Sequence, residues 1–85
     1  MYAVTFAGSA LKDLEKLDDS LVKRIFPKIE NLAGHPRPSG CLKLQGHNDF
    51  WRIRIGDYRV VYAVDDKKRV VDIVKVGHRQ EVYSG

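Results

Sequence analysis

The chain has very little cysteine and no long apolar run, and each shortage excludes a class of protein. Cys41 is the single cysteine among 85 residues, so an internal disulfide and a cysteine-based metal site are excluded. No stretch approaches the roughly 20 apolar residues of a membrane-spanning helix, and the first residues show no basic leader with an apolar core. We therefore predict one cytoplasmic domain over residues 1–85, with no membrane partner.

Histidine is also scarce, and acidic residues are outnumbered by basic ones. His35, His47 and His78 form no cluster with Asp or Glu at the spacing of metal ligands. We therefore predict no metal site and no cofactor. Fifteen Lys and Arg residues against 11 Asp and Glu give a net charge of +4. This balance favours an acidic partner, either a nucleic acid or an acidic protein.

The clearest pattern in the chain is a β-hairpin from Trp51 to Tyr62, closed by a Gly-Asp turn. Side chains alternate across a strand, so the apolar residues share one face. The opposite face carries Arg52, Arg54 and Arg59. Like charges on paired strands repel, which favours a phosphate-binding surface, because a guanidinium is planar, always charged and bidentate. The alternative is ion pairing of these arginines with neighbouring aspartates.

Helices and further strands are predicted around this hairpin. The predicted elements are a strand at 2–6, a short helix capped by Ser9, a helix at about 19–33, a strand at 41–44, the hairpin, and a strand at 69–76. Pro27 interrupts the pattern of the second helix and predicts a kink or local break. The order β-α-α-β-β-β-β predicts an α+β fold, with both helices on the apolar face of an antiparallel sheet. The other face would be open and basic.

The last strand decides which further side chains join the arginines. A simple hairpin register places Val76 and His78 on the arginine face. If the ligand is RNA, the simplest reaction is attack of a 2′-hydroxyl on the adjacent phosphate, which needs a base, an acid and positive charge. Arginine is a poor proton carrier at pH 7. The titratable candidates are therefore His78 and Tyr83, and Tyr83 is also suited to stacking on an RNA base or anchoring the tail.

Three segments together resemble the RelE family of toxin–antitoxin systems, within the RelE/ParE superfamily. They are Pro36-Arg37-Pro38-x-Gly40-x-x-Lys43-Leu44-x-Gly46, the hairpin from Trp51 to Tyr62, and Val76-Gly77-His78-Arg79-x-x-Val82-Tyr83. The resemblance implies a ribosome-dependent, metal-independent mRNA interferase that inhibits translation by cleaving the message in the ribosomal A site, on the small subunit. It also implies a small RelB-like antitoxin as partner.

The resemblance also implies site residues. The family's catalytic positions fall on Arg52, Arg54, Arg59, Arg79 and Tyr83, with His78 added as a proton carrier and Lys43 as an RNA contact. The family's best-known member has lysines where this chain has Arg52 and Arg54, so the identity of the general base stays open here, with His78 as a candidate.

Two other functions remain open at this point. The ParE branch shares the fold and inhibits DNA gyrase, and a third class is an inactive basic binding module. The C-terminal Gly77-His78-Arg79 and Tyr83 favour the ribonuclease branch.

Overall fold

Two helices cover one face of a five-stranded sheet in the computed structural model, which describes residues 1–44 and 49–80. The elements are β1 (Ala3–Phe6), α1 (Gly8–Glu15), α2 (Asp19–Asn31), β2 (Leu42–Lys43), β3 (Phe50–Ile55), β4 (Tyr58–Asp65) and β5 (Val70–His78). The strand order is β1-β5-β4-β3-β2, antiparallel throughout except for the parallel pair β1–β5. The predicted α+β fold and element order are confirmed.

The two helices begin differently. The Asp18 carboxylate accepts a hydrogen bond from the backbone N–H of Leu21 at 2.9 Å, which caps α2 and, together with the Ser20 hydroxyl, lowers the pKa of Asp18. Pro27 lies inside α2 without ending it, so the single helix is confirmed and the local break is wrong. The predicted Ser9 cap is also wrong, because α1 begins at Gly8 and its N-cap residue is Ala7. Neither helix of the described ranges has the length and apolar character needed to cross a bilayer.

The core lies between the helices and the sheet. It is formed by Ala10, Ile25, Ile29, Leu32, Ile53, Val60, Tyr62, Val64, Val71, Ile73 and Val76. Tyr62 is fully buried, and its hydroxyl donates to the carbonyl of Pro36 at 2.7 Å. Burial raises the pKa of Tyr62 because the phenolate would lose its hydration. This hydrogen bond fixes the loop after α2 against the sheet.

A β-bulge in β5 changes which residues face which side. Val61 pairs with Lys75, whereas the next residue, Tyr62, pairs with Ile73, so Val74 is an extra residue. One extra residue reverses the facing of every residue after it. Lys75 and Gly77 therefore lie on the open face, and the predicted placement of Val76 and His78 on the arginine face is wrong.

Helix α1 supplies the hydrogen bonds that this bulge requires. The pairing of β1 with β5 ends at Ile73, and beyond this point no strand within residues 1–44 and 49–80 pairs with β5 on that side. The Ser9 hydroxyl donates to the carbonyl of Val74 at 2.7 Å, and the backbone N–H of Val76 donates to the Asp13 carboxylate at 2.9 Å. Residues four apart lie on one face of a helix. One face of α1 thus takes the place of a strand along the bulge.

Candidate nucleic-acid interface

Four cationic residues from three strands share the face of the sheet that the helices leave uncovered. Arg52 and Arg54 lie on β3, Arg59 on β4 and Lys75 on β5. Arg54 pairs directly with Arg59, and Val61 lies between Arg52 and Lys75. The predicted sharing of one face by the three arginines is confirmed by the strand register. We call these four residues the basic face.

Arg59 is the most deeply placed member of the basic face. Its residue is 6% exposed, and its guanidinium donates to the carbonyls of Gly56 at 3.1 Å and Tyr58 at 3.0 Å. Its β5 partner, Gly77, has no side chain to occupy the space beside it. Gly56 has a φ of +60°, a conformation that glycine adopts without strain. The turn thus holds the Arg59 charge in one orientation.

Lys75 is the member that the sequence prediction missed. Val61 is only 7% exposed although it lies on the side of the sheet opposite α1 and α2, and its neighbours across the two adjacent strands are Arg52 and Lys75. Long basic side chains cover apolar surface with their stems and keep their charged ends in water. We infer that the stems of these two residues cover Val61. The signal in the sequence is the apolar pair Ile73-Val74, where the alternation of β5 changes phase.

His78 and Arg79 lie where β5 ends, next to the hairpin turn. His78 is on the helix-covered face, with its ring edge-on to Tyr58 at a centroid distance of 5.6 Å. Arg79 is exposed, and its backbone N–H donates to the carbonyl of Asp57 at 2.8 Å. The structure therefore brings Arg79 to the turn-proximal end of the basic face and places His78 on the other side of the strand.

Lys43, a further candidate residue, does not join the basic face. Lys43 pairs with Trp51 on the helix-covered side, and its ammonium nitrogen lies 5.9 Å from the centroid of that ring. Tyr83 lies outside the described residues, so its role stays a prediction. Within residues 1–44 and 49–80, no three His, Cys, Asp or Glu side chains are grouped as metal ligands would be.

The far end of the open face has the opposite charge. A hollow of about 810 Å³ there is lined by Asp49, Asp65 and Asp72, together with two lysines of the β4–β5 turn. The Asp72 carboxylate accepts a hydrogen bond from the Thr5 hydroxyl at 2.7 Å. The open face is thus basic near the hairpin turn and acidic at the other end. A polyanion is attracted to only one half of this surface.

Comparisons with known proteins give concordant results. The family model described as "ParE toxin of type II toxin-antitoxin system, parDE" matches residues 4–83. The mRNA interferase toxin RelE of Escherichia coli K12 is 36% identical, over 98% of this chain and 90% of that protein. The crystal structure of the isolated E. coli RelE toxin superposes with a TM-score of 0.81 at 35% identity, covering 99% of this chain and 93% of the other. RelE in the archaeal RelE–RelB complex from Pyrococcus horikoshii OT3 superposes with a TM-score of 0.80 at 32% identity, covering 92% of this chain and 94% of the other.

Proposed function

Because the chain belongs to the RelE/ParE superfamily of type II toxin–antitoxin toxins, we propose that it is a RelE-like mRNA interferase that cleaves mRNA in the ribosomal A site. The resemblance found in the sequence is confirmed by the family model and by the RelE relatives. The observation that carries the proposal is the basic face, where four cations are held on the side of the sheet opposite α1 and α2. A surface of this kind suits an RNA phosphate.

The reaction proposed for this surface needs no metal. The 2′-oxygen of one nucleotide forms a bond to the adjacent phosphorus as the bond from phosphorus to the 5′-oxygen breaks. The 2′-hydroxyl proton passes to a base, and an acid gives a proton to the departing 5′-oxygen, leaving a cyclic 2′,3′-phosphate and a 5′-hydroxyl. Negative charge grows on the phosphoryl oxygens in the transition state, so fixed cations there lower the barrier. Arg59, held by two carbonyls, is suited to this task.

We assign the side chains as follows. Arg52, Arg54 and Arg59 bind the substrate phosphates and stabilise the transition state, and Arg79 stabilises charge on the phosphate or on the leaving oxygen. Proton transfer or base stacking is assigned to His78 and Tyr83, and a peripheral RNA contact to Lys43. Because His78 lies on the helix-covered face, RNA must pass the end of β5 to reach it.

The proposed partner is a small RelB-like antitoxin. RelE toxins of similar structure are solved with RelB, at 32% identity in both the P. horikoshii and the E. coli complexes. The net charge of +4 suits an acidic partner. Co-expression with the small gene beside this one should restore growth and give a stable complex on purification. Growth arrest that no neighbouring gene relieves would contradict this assignment.

The experiment combines the purified protein with translating ribosomes and maps message ends by primer extension. The wild-type protein should cut within the A-site codon, and Arg54→Ala should lower the rate. Lys68→Ala removes the same charge from the exposed β4–β5 turn and should cut normally. Double-strand DNA breaks in the presence of gyrase, without mRNA cleavage, would instead identify a gyrase poison of the ParE type. An inactive binding module would give neither product.

A further inference from the structure

Two arginines of the basic face and one further cation line a cleft at the outer edge of β3. The cleft has a volume of about 490 Å³ and lies between α2, the loop before β2, and β3. Its polar lining comes from Lys28, Asn31, Ser39, Arg52 and Arg54, and no Asp or Glu is among the described residues that line it. The lining therefore carries three basic side chains and no acidic one.

The cleft exists because β2 is too short to cover β3. Leu42 and Lys43 form the whole strand and pair with Arg52 and Trp51. Gly40, at a φ of +89°, turns the chain away before it can pair with Arg54. Backbone groups of a strand point alternately to its two neighbours. Since Ile55 closes the hairpin with Tyr58, the backbone N–H of Arg54 points away from β4 and into the cleft.

We propose that this cleft binds RNA sugar–phosphate backbone that continues from the basic face around the edge of β3 to α2. The inference rests on the proposed function and extends it to the RNA that flanks the cleaved bond. Arg52 and Arg54 line the cleft and also belong to the basic face, so one chain of phosphates can contact both surfaces. Lys28 carries the positive charge on to the helix.

RNA binding explains the cleft better than two alternatives. The first is a bound peptide strand, and the second is that the charges only protect the edge of the sheet. Adding a peptide strand draws its affinity from a row of main-chain hydrogen bonds, and Arg54 is the one residue of β3 between β2 and the hairpin turn whose backbone points outward. Charged side chains on an edge strand also prevent sheet-to-sheet association. That protection accounts for Arg54 but not for Lys28, which comes from a helix. A polyanion accounts for both.

The test compares Lys28→Glu with Lys28→Arg and with Lys23→Glu. Lys23 lies on the same helix, is exposed, and does not line the cleft, so it is a matched control for charge reversal. Each contact with a phosphate of single-stranded RNA adds about 0.7 to the slope of log affinity against log salt concentration. Near 0.15 M salt, one such contact therefore contributes about fourfold in affinity. Lys28→Glu should therefore lower kcat/KM for A-site cleavage at least about fourfold, mainly through KM, while the other two variants match the wild type.

A second message, ending at the A-site codon, identifies the source of the RNA. If the Lys28→Glu defect disappears on this short message, the cleft holds the message beyond the codon. If the defect persists, the cleft does not hold the message beyond the codon, and the proposed continuation of that RNA from the basic face is overturned. Equal cleavage by Lys28→Glu and Lys23→Glu would overturn the inference and leave the proposed function standing. It would also be overturned if Lys28→Glu weakened only antitoxin binding, which would make the cleft a protein-binding surface. A wild-type protein that cuts no message would refute both.

Discussion

Replacing Asp13 tests whether α1 determines which side chains lie on the basic face. Its carboxylate accepts the hydrogen bond from the backbone N–H of Val76 at 2.9 Å, in a partly buried position beside the bulge. Asp13→Ala leaves that N–H without its partner. Losing a hydrogen bond to a charged group costs about 1.5–3 kcal/mol. We therefore expect the free energy of unfolding to fall by about 2 kcal/mol.

The measurement is urea unfolding, followed by the fluorescence of Trp51, the single tryptophan. In a domain of this size each kcal/mol corresponds to about 4–8 °C in Tm, so thermal unfolding should move by roughly 8–16 °C. Asp13→Asn keeps an oxygen acceptor and should lose less. Glu15→Ala removes the same charge from an exposed position on α1 and should stay within about 0.5 kcal/mol of the wild type.

The same variants connect the bulge to activity. If α1 holds the bulge in place, Asp13→Ala should cleave more slowly than Glu15→Ala at a temperature where both are folded. The physical reason is that the facing of Lys75 depends on the bulge. Equal unfolding free energies for Asp13→Ala and Glu15→Ala would refute the structural part of this reasoning. A loss of stability without a loss of activity would refute the functional part.

Three further predictions concern other parts of the fold. Lys75→Met should lower A-site cleavage by about fourfold, the value of one phosphate contact near 0.15 M salt; Lys75→Arg should retain activity, and Lys68→Met serves as the control. Tyr62→Phe should cost about 1 kcal/mol at neutral pH, since the Pro36 carbonyl loses its donor. Because the pKa of Tyr62 is raised in the folded protein, the hydroxyl of Tyr62 loses its proton at a lower pH in the unfolded chain than in the folded one. The contribution of Tyr62 to the free energy of unfolding is therefore complete below about pH 10 and falls by about 1.4 kcal/mol per pH unit above it. Urea unfolding between pH 8 and 11 should show this fall in the difference between the unfolding free energies of the wild type and Tyr62→Phe. A difference that does not change with pH would contradict the prediction. Gly56→Ala should lose about 1–2 kcal/mol in the same assay, because alanine is strained at a φ of +60°, and an unchanged midpoint would contradict this.

The hairpin could be predicted in detail because local rules determine it. A two-residue turn leaves a single register, and the pairs Ile55–Tyr58, Arg54–Arg59 and Trp51–Tyr62 follow from it. The parallel pairing of β1 with β5 could not be predicted in this way. Alternation in β1 indicates a strand, but it carries no information about which strand will be its neighbour.

The register of β5 was predicted wrongly for a physical reason that lies outside β5. A bulge leaves backbone groups without ladder partners, and such groups need other partners when they are partly buried. Here Ser9 and Asp13 supply them from α1, and they lie 65 and 63 residues before the groups that they bind. Pattern analysis of a single strand does not include a distant helix. It therefore missed Lys75 and placed His78 on the wrong face.

The basic face is arranged against the stability of the sheet, and this is itself an argument for function. Arg54 lies directly opposite Arg59, a pairing that like charges make unfavourable. Arg59 is also 6% exposed, so its charge is largely removed from water. The fold compensates with the two carbonyls of the turn, and Gly77 places no side chain beside Arg59 on the neighbouring strand. Such compensation fixes the Arg59 guanidinium in one place before any ligand arrives, which is the arrangement that binding and stabilising a phosphate require.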